Sequence, residues 1–224
     1  MSGESKREAA RRRIAEKRAA EAAERARAQR RQRTVAVGGV RRDGGYAFAV
    51  GAADAPVTLD VYEDFQCPNC KALEDTAGAT VDQLVQEGTV QVRYHGMAFL
   101  DTSKNDQYST RALNAAAVVA STAGTDAFER FHDLLFANQP EEGGNGLTDD
   151  QLVTYAQQAG ASGAAVEKAI RDGEYEDWTK DATEQASKDG VTGTPAVFVD
   201  GKQLTKASQL TAEGITAAVQ AAAG

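Results

Sequence analysis

From residue 55 onward, short runs with the alternation of β-strands are interspersed with longer runs whose apolar positions recur at helical spacing. The strand-like runs are 57–62, 90–94, 196–199 and 202–204, and the last two flank an Asp200-Gly201 pair that favours a hairpin turn. The helical runs are 68–86, 108–123, 127–136, a run that begins at 148, 163–171 and 174–188. Because most helices fall between the second and third strands, the pattern predicts an α/β protein with helices inserted into its sheet.

The two cysteines of the chain stand in one box, Cys67-Pro68-Asn69-Cys70, between a strand-like run and a helical run. Pro68 suits the first turn of a helix, because an N–H has no partner there and the φ of proline is already helical. Cys67 would then cap the helix, where free N–H groups and the helix dipole favour a thiolate, and we expect its pKa at about 4 to 6.5. Cys70 lies on the same helical face, so its sulfur can close a small disulfide.

Half of a zinc site is the alternative interpretation of this box, and a structural zinc needs four ligands. The other soft ligands of the chain are His95 and His132, and neither has the short spacing that zinc sites usually show. We therefore expect no metal. We expect both histidines, like Trp178, to be structural or packing residues.

A second motif, Thr194-Pro195, precedes the strand-like run 196–199. Proline cannot donate to a sheet ladder, so at the start of a central strand it needs a special geometry. We expect a cis peptide bond between Thr194 and Pro195. An ordinary trans proline on an edge strand is the alternative.

The cysteine box at a helix start and the proline loop before a strand together resemble the thioredoxin superfamily. In that superfamily the proline loop faces the Cys-x-x-Cys helix and the backbone before the proline pairs with substrate, which implies substrate-binding roles for Thr194 and Pro195. More than half of the chain separates Cys67 from Pro195, far more than in thioredoxin. Such an all-helical insertion is typical of DsbA-like thiol:disulfide oxidoreductases. The resemblance covers about residues 55–223 and implies an α/β thioredoxin fold with an inserted all-helical domain.

The residues just before the box follow the DsbA-like pattern with one departure. An acid and an aromatic residue precede the box, as in bacterial relatives. Many relatives also carry a buried glutamate with a proton-relay role six residues before the first cysteine, where this chain has Val61, and Asp60 should face the other side of the strand. The resemblance therefore assigns no residue to that role. The negative charges of Glu63 and Asp64 by themselves favour a higher pKa of Cys67, against the helix dipole, and the sign of their net tuning effect depends on burial.

By this resemblance the chain is an enzyme, a protein disulfide oxidoreductase that forms or exchanges disulfides in protein substrates. Cys67 would be the nucleophile and Cys70 the resolving thiol, with Pro68 and Asn69 tuning the site. The resemblance implies no cofactor, and it implies a redox partner that restores the active disulfide. A reductase or isomerase would use the same residues, because only the reduction potential sets the direction. A protein-binding module without redox chemistry is an alternative of another class, since a fold does not fix a function.

Charge divides the chain into parts of opposite sign. The chain carries a net charge of −8, yet residues 1–33 hold 12 Lys and Arg against 5 Glu. We assign 1–34 to a basic, helical and solvated arm and 35–54 to a linker. The remainder is long and apolar enough to bury one core. We divide it into the first part of the thioredoxin domain at 55–106, the helical insertion at 107–190 and the second part of the thioredoxin domain at 191–224.

The arm has good helix formers, but from Ser5 to Arg33 Ile14 is its only large apolar residue, so it has no stripe with which to pack on a core. We expect it to stand in solvent. A membrane-proximal segment that attracts anionic lipid is the alternative. Nucleic-acid binding is disfavoured, because no aromatic side chain interleaves the charges.

Residues 35–40 begin like a membrane span, which Arg41 interrupts at once. The sequence shows no run of eighteen apolar residues and no signal peptide, so we expect no span in this chain. Membrane-anchored DsbA-like proteins of high-GC Gram-positive bacteria lead from a basic tail directly into a span. We therefore hypothesise that a span has been deleted or truncated around Gly39 and Arg41, and by resemblance we expect an extracytoplasmic, membrane-associated catalytic domain.

Overall fold

A five-stranded mixed sheet organises the residues around the cysteine box. The computed structural model describes Lys17 and residues 46–224. The strands are β1 (Phe48–Val50), β2 (Val57–Glu63), β3 (Val90–Gly96), β4 (Ala196–Val199) and β5 (Lys202–Gln203). Their order is β1-β3-β2-β4-β5, with β2 and β3 parallel and the other neighbouring pairs antiparallel.

Seven α-helices within residues 46–224 pack around this sheet. They are α1 (Pro68–Gln86), α2 (Tyr108–Ala123), α3 (Thr125–Ala137), α4 (Asp149–Ala159), α5 (Ala164–Arg171), α6 (Glu176–Lys188) and α7 (Ala212–Ala223), and a 3-10 turn (Ala207–Gln209) precedes α7. Helix α1 forms the crossover that joins the parallel strands β2 and β3. Helices α2 to α6 follow between β3 and β4, which confirms the predicted block of inserted helices.

Strand β2 delivers the chain to the cysteine box from the middle of the sheet. Its side chains alternate between buried and half-buried, as a strand with one face on the core requires. Val61 faces the core, and Asp60 lies on the opposite face as expected. Glu63 has the same parity as Val61, so the last residue of the strand brings a carboxylate to a core position.

Helix α2 is the central helix of the insertion. Most of its side chains are buried, and it contacts helices α3, α4, α5 and α6. Its alanines leave room for these neighbours to approach closely. Helix α3 supplies larger apolar side chains, and Phe128, Phe131 and Phe136 are each at most 1% exposed.

Strand β1 lies inside the stretch that the sequence pattern assigns to a linker. Phe48 pairs with Tyr94 on the antiparallel β3. Its ring stacks on Phe128 at 4.2 Å between centroids and lies 5.4 Å from the Trp178 ring. A three-residue strand is too short to show alternation, so its place follows from packing that the local pattern does not display.

The basic arm and the interrupted apolar run around Gly39 and Arg41 lie outside the described residues, apart from Lys17. The domain boundaries therefore remain predictions. In the part of the chain that the structure describes, no helix combines the length and the apolar character that a membrane crossing requires.

Candidate active site

Cys67 caps the N-terminus of helix α1, as predicted. Its backbone is extended, with φ −78° and ψ 118°, and Pro68 follows in the first turn. The Cys67 carbonyl accepts hydrogen bonds from the N–H groups of Cys70 at 3.1 Å and Lys71 at 3.2 Å. Both cysteines are free thiols and are buried, whereas Pro68 and Asn69 between them are exposed.

The two thiols differ strongly in acidity. A hydrogen bond from Cys70 is the largest cause that lowers the pKa of Cys67, and burial opposes it. Hydrogen bonding with Thr194 and with the N–H groups of Cys70 and Asn69 lowers the pKa further, to about 5. The same bond to Cys67, together with burial, raises the pKa of Cys70 far above its ordinary value. At neutral pH Cys67 is therefore a thiolate and Cys70 holds its proton.

The Thr194-Pro195 peptide bond is cis, which confirms the sequence prediction. The structure brings this loop onto the cysteine box, with the Thr194 carbonyl oxygen 3.5 Å from the Cys67 sulfur. Thr194 and Pro195 are half-buried, so the loop keeps an accessible surface beside the box. The structure thus brings together all six predicted site residues, Cys67, Pro68, Asn69, Cys70, Thr194 and Pro195.

Asp64 holds the loop that precedes the cysteine box. Its side chain is fully buried and accepts hydrogen bonds from the Gln66 N–H at 2.9 Å, the Leu100 N–H at 3.1 Å and the Ser109 hydroxyl at 2.7 Å. Its carbonyl accepts the Cys67 N–H at 2.9 Å. Burial raises the pKa of Asp64 to about 6, although these hydrogen bonds oppose the shift. The sequence indicated only a charge effect of this residue on Cys67.

Gln139 connects the helical insertion to the nucleophile. Its side-chain amide donates to the Cys67 carbonyl oxygen at 2.9 Å. Gln66 makes a parallel connection, since its amide nitrogen donates to the carbonyl of Gly144 at 2.8 Å and its amide oxygen accepts from Asn105 at 2.8 Å. Neither glutamine has a sequence signal, because both act through partners far away along the chain.

Glu63 and His132 form an ion pair in the core beneath the box. The Glu63 Oε1 and His132 Nε2 atoms are 2.9 Å apart, and both side chains are at most 5% exposed. Burial alone would lower the pKa of His132, but the Glu63 carboxylate, with help from Asp133 and Glu74, raises it to about 10. His132 is therefore a charged partner as well as the packing residue that the sequence predicted.

His95 has a different and more exposed partner. Its Nε2 atom lies 2.8 Å from the Asp60 carboxylate, and its ring stacks on Tyr62 at 4.2 Å between centroids. Each of the two histidines thus pairs with a carboxylate.

The family model described as thioredoxin matches residues 44–221. The chain belongs to the thioredoxin family. The serine/threonine-protein kinase PknE of Mycobacterium tuberculosis is 32% identical over 162 residues, which cover 69% of this chain and only 28% of the kinase. The chain thus spans less than a third of that relative.

Two solved structures place this thioredoxin-family chain more closely. The disulfide bond oxidoreductase DsbG of Mycobacterium tuberculosis is 31% identical with a TM-score of 0.70, and the match covers 80% of this chain and 88% of DsbG. Oxidised DsbA of the same organism is 31% identical with a TM-score of 0.69, covering 80% and 93%. The chain is a DsbA-like member of the thioredoxin superfamily, which confirms the predicted thioredoxin fold with an inserted all-helical domain.

Proposed function

We propose that this chain is a thiol:disulfide oxidoreductase that forms or exchanges disulfides in protein substrates through Cys67 and Cys70. The observation that carries the proposal is the contrast between the two thiols. Cys67 is an acidic thiol at a helix N-terminus and beside the Thr194 carbonyl, while Cys70 stays protonated behind it. A low pKa makes Cys67 both a ready attacking thiolate and a good leaving group.

In the oxidising direction the reaction begins from the Cys67–Cys70 disulfide. A substrate thiolate attacks the Cys67 sulfur, the bond to Cys70 breaks, and Cys70 leaves as a thiolate that takes up a proton. A second substrate thiolate then attacks the substrate sulfur of the mixed disulfide and releases the Cys67 thiolate. Two electrons pass from the substrate dithiol to the cysteine pair, and a redox partner must remove them.

Substrate binding is assigned to the backbone next to Pro195. The half-buried Thr194 and Pro195 leave an accessible edge beside the Cys67 sulfur. An extended substrate segment that pairs with this edge would hold its sulfur in line with Cys67, as a strand added to a sheet edge is held. The exposed Pro68 and Asn69 border the same place.

Equilibration in glutathione redox buffers tests the proposal and its direction. The stabilised Cys67 thiolate favours the reduced form, so we expect a potential less negative than about −230 mV, which marks a protein that oxidises its substrates. A value near the thioredoxin figure of about −270 mV would identify the alternative, a reductase. A pair that does not exchange with glutathione would leave only a binding module.

We further propose that the catalytic domain is extracytoplasmic and that residues 1–33 contact an anionic membrane surface. The membrane contact is supported by the excess of basic over acidic residues in the arm and its lack of an apolar stripe. The extracytoplasmic location is an inference from the resemblance to DsbA-like proteins. Removing residues 1–33 is expected to leave the melting temperature and the oxidase activity unchanged, but to abolish weak, salt-sensitive sedimentation with anionic vesicles. Loss of folding or of activity in the truncated chain would show that the arm packs on the catalytic domain.

A further inference from the structure

A small cavity of about 20 Å³ lies next to Cys70 in the core. Cys70, Glu63 and Glu74 line it, and its remaining walls are mostly apolar. A cavity of this size can hold one water molecule, provided that polar groups surround it. The two carboxyl groups and the thiol supply such groups, so the cavity can connect the Cys70 sulfur to a carboxylate.

The two carboxyl groups differ in what else they bind. The Glu63 carboxyl is paired with His132, with 2.9 Å between Oε1 and Nε2. Glu74 makes no hydrogen bond to any residue that the structure describes. One of its carboxyl oxygens, a His132 ring nitrogen and an Asp133 oxygen lie within 4.8 Å of one another. Glu74 lines the cavity and is itself only half-buried, so its side chain also reaches solvent.

A glycine, Gly78, leaves the space that the Glu74 carboxyl group occupies. Gly78 follows Glu74 by one turn of α1, and a methyl group built on Gly78 would overlap the Glu74 carboxyl. Glycine inside a helix is unfavourable compared with alanine. The absence of a side chain at Gly78 therefore leaves room for the Glu74 carboxyl against the helix, where it lines the same cavity as Cys70.

We propose that Glu74 takes the proton of Cys70 through one water molecule in this cavity and returns it when Cys70 leaves. The inference rests on the proposed function. When Cys70 resolves a mixed disulfide, its S–H bond breaks, the proton passes to the Glu74 carboxylate, and the new thiolate attacks the Cys67 sulfur. The substrate thiolate departs, and no other reactant is needed. In the oxidising direction the proton moves from Glu74 to the Cys70 thiolate.

The electrostatic surroundings suit an exchange of protons near neutral pH. Burial raises the pKa of Glu74 to about 7; the charge of His132 lowers it, and the charges of Glu63, Asp133 and Asp82 raise it. The titratable groups that face Glu74 are Cys70 and Asp82 on α1, Glu63 on β2, Tyr94 on β3, and His132 and Asp133 on α3. The protonated and the ionised forms of the Glu74 carboxyl are therefore both populated near neutral pH.

Stopped-flow reaction of the reduced protein with 5,5′-dithiobis(2-nitrobenzoate) separates the two thiol steps. Cys67 releases the first coloured thiolate, and Cys70 releases the second when it resolves the mixed disulfide. We expect Glu74→Gln to leave the first phase unchanged and to slow the second at least tenfold at pH 7.5. The wild-type second phase should rise with pH around 7, as Glu74 becomes a proton acceptor, and the variant should lose that rise.

Two further variants make the test specific. Gly78→Ala displaces the Glu74 carboxyl without changing its chemistry, so it should slow the second phase in the same way, and adding Glu74→Gln should slow it no further. Asp75→Asn is the matched control, because Asp75 is an exposed neighbour of Glu74 paired with Lys71. It should leave both phases unchanged.

The outcomes separate this inference from the proposed function. A second phase that keeps its rate and pH dependence in Glu74→Gln would overturn the role of Glu74 and leave the oxidoreductase function intact. Equal slowing of both phases would also overturn it, because that result indicates a general structural effect. Absence of the first phase in the wild-type protein would remove the proposed function itself.

Discussion

Replacing Cys70 with alanine is expected to convert the protein from an enzyme that turns over into one that holds its substrates. Cys67 keeps its place at the N-terminus of α1 and still attacks a substrate disulfide, but the Cys70 thiol that would release the substrate from the mixed disulfide is missing. The variant should accumulate mixed-disulfide complexes with its substrates, which a non-reducing gel shows and which dithiothreitol cleaves. Steady-state oxidation of a model dithiol peptide should fall at least about a hundredfold, because the variant cannot form the Cys67–Cys70 disulfide that oxidises the substrate.

The same variant tests the cause of the acidity of Cys67. Because the hydrogen bond from Cys70 is the largest cause that lowers the pKa of Cys67, the alanine variant should show a pKa above the wild-type value of about 5. Thiolate absorbance at 240 nm follows the titration. Cys67→Ala is the control and should form no covalent complexes. Stable complexes formed by Cys67→Ala but not by Cys70→Ala would reverse the assignment of the two thiols.

His132→Leu is expected to produce the largest loss of stability among single changes near the site. Removing one partner of a buried ion pair leaves the other charge uncompensated, which costs about 3–5 kcal/mol. Here the Glu63 carboxylate would remain in the core without its 2.9 Å partner. Urea unfolding at pH 7 measures the loss. His95→Leu is the matched control, because its pair with Asp60 is less buried, at 12% and 18% side-chain exposure, and its loss should cost less than the loss of the His132 pair.

The pH dependence of this loss has a definite sign. The folded pKa of His132, about 10, lies above its ordinary value of 6.5, so the folded state binds the proton more tightly. The stabilisation is complete below pH 6.5 and is lost as the pH rises through about 10. The difference between wild type and His132→Leu should therefore shrink from pH 6 to pH 10.5. A difference that stays constant over this range would mean that His132 contributes packing alone.

The sequence was sufficient for those parts of the site that are local. The cysteine box, the capping position of Cys67 and the Thr194-Pro195 loop are short motifs whose geometry follows from neighbouring residues, and the inserted helices follow from their periodicity. The core position of Glu63 also has a local signal, since Glu63 has the same parity in β2 as the buried Val61.

The remaining contacts depend on how distant segments meet. Gln139 reaches Cys67 from beyond the end of α3. The contact between Gly78 and the Glu74 carboxyl depends on the conformation of the Glu74 side chain, which the sequence does not show. His132 becomes a charged residue only because folding buries it against Glu63. Such properties arise from burial and long-range packing, for which a single sequence carries no periodic pattern.

The short edge strand β1 has a mechanical consequence. It enters the sheet next to β3, while the cysteine box follows β2 and the proline loop precedes β4. One strand, β3, therefore lies between the edge and β2, and two strand spacings of about 4.8 Å separate β1 from β2. A pull transmitted along the chain from residues before 46 would load three residues of edge pairing and the Phe48 ring first. If the chain is pulled at this end, the edge strand would therefore separate before the strands that hold Cys67 and Pro195.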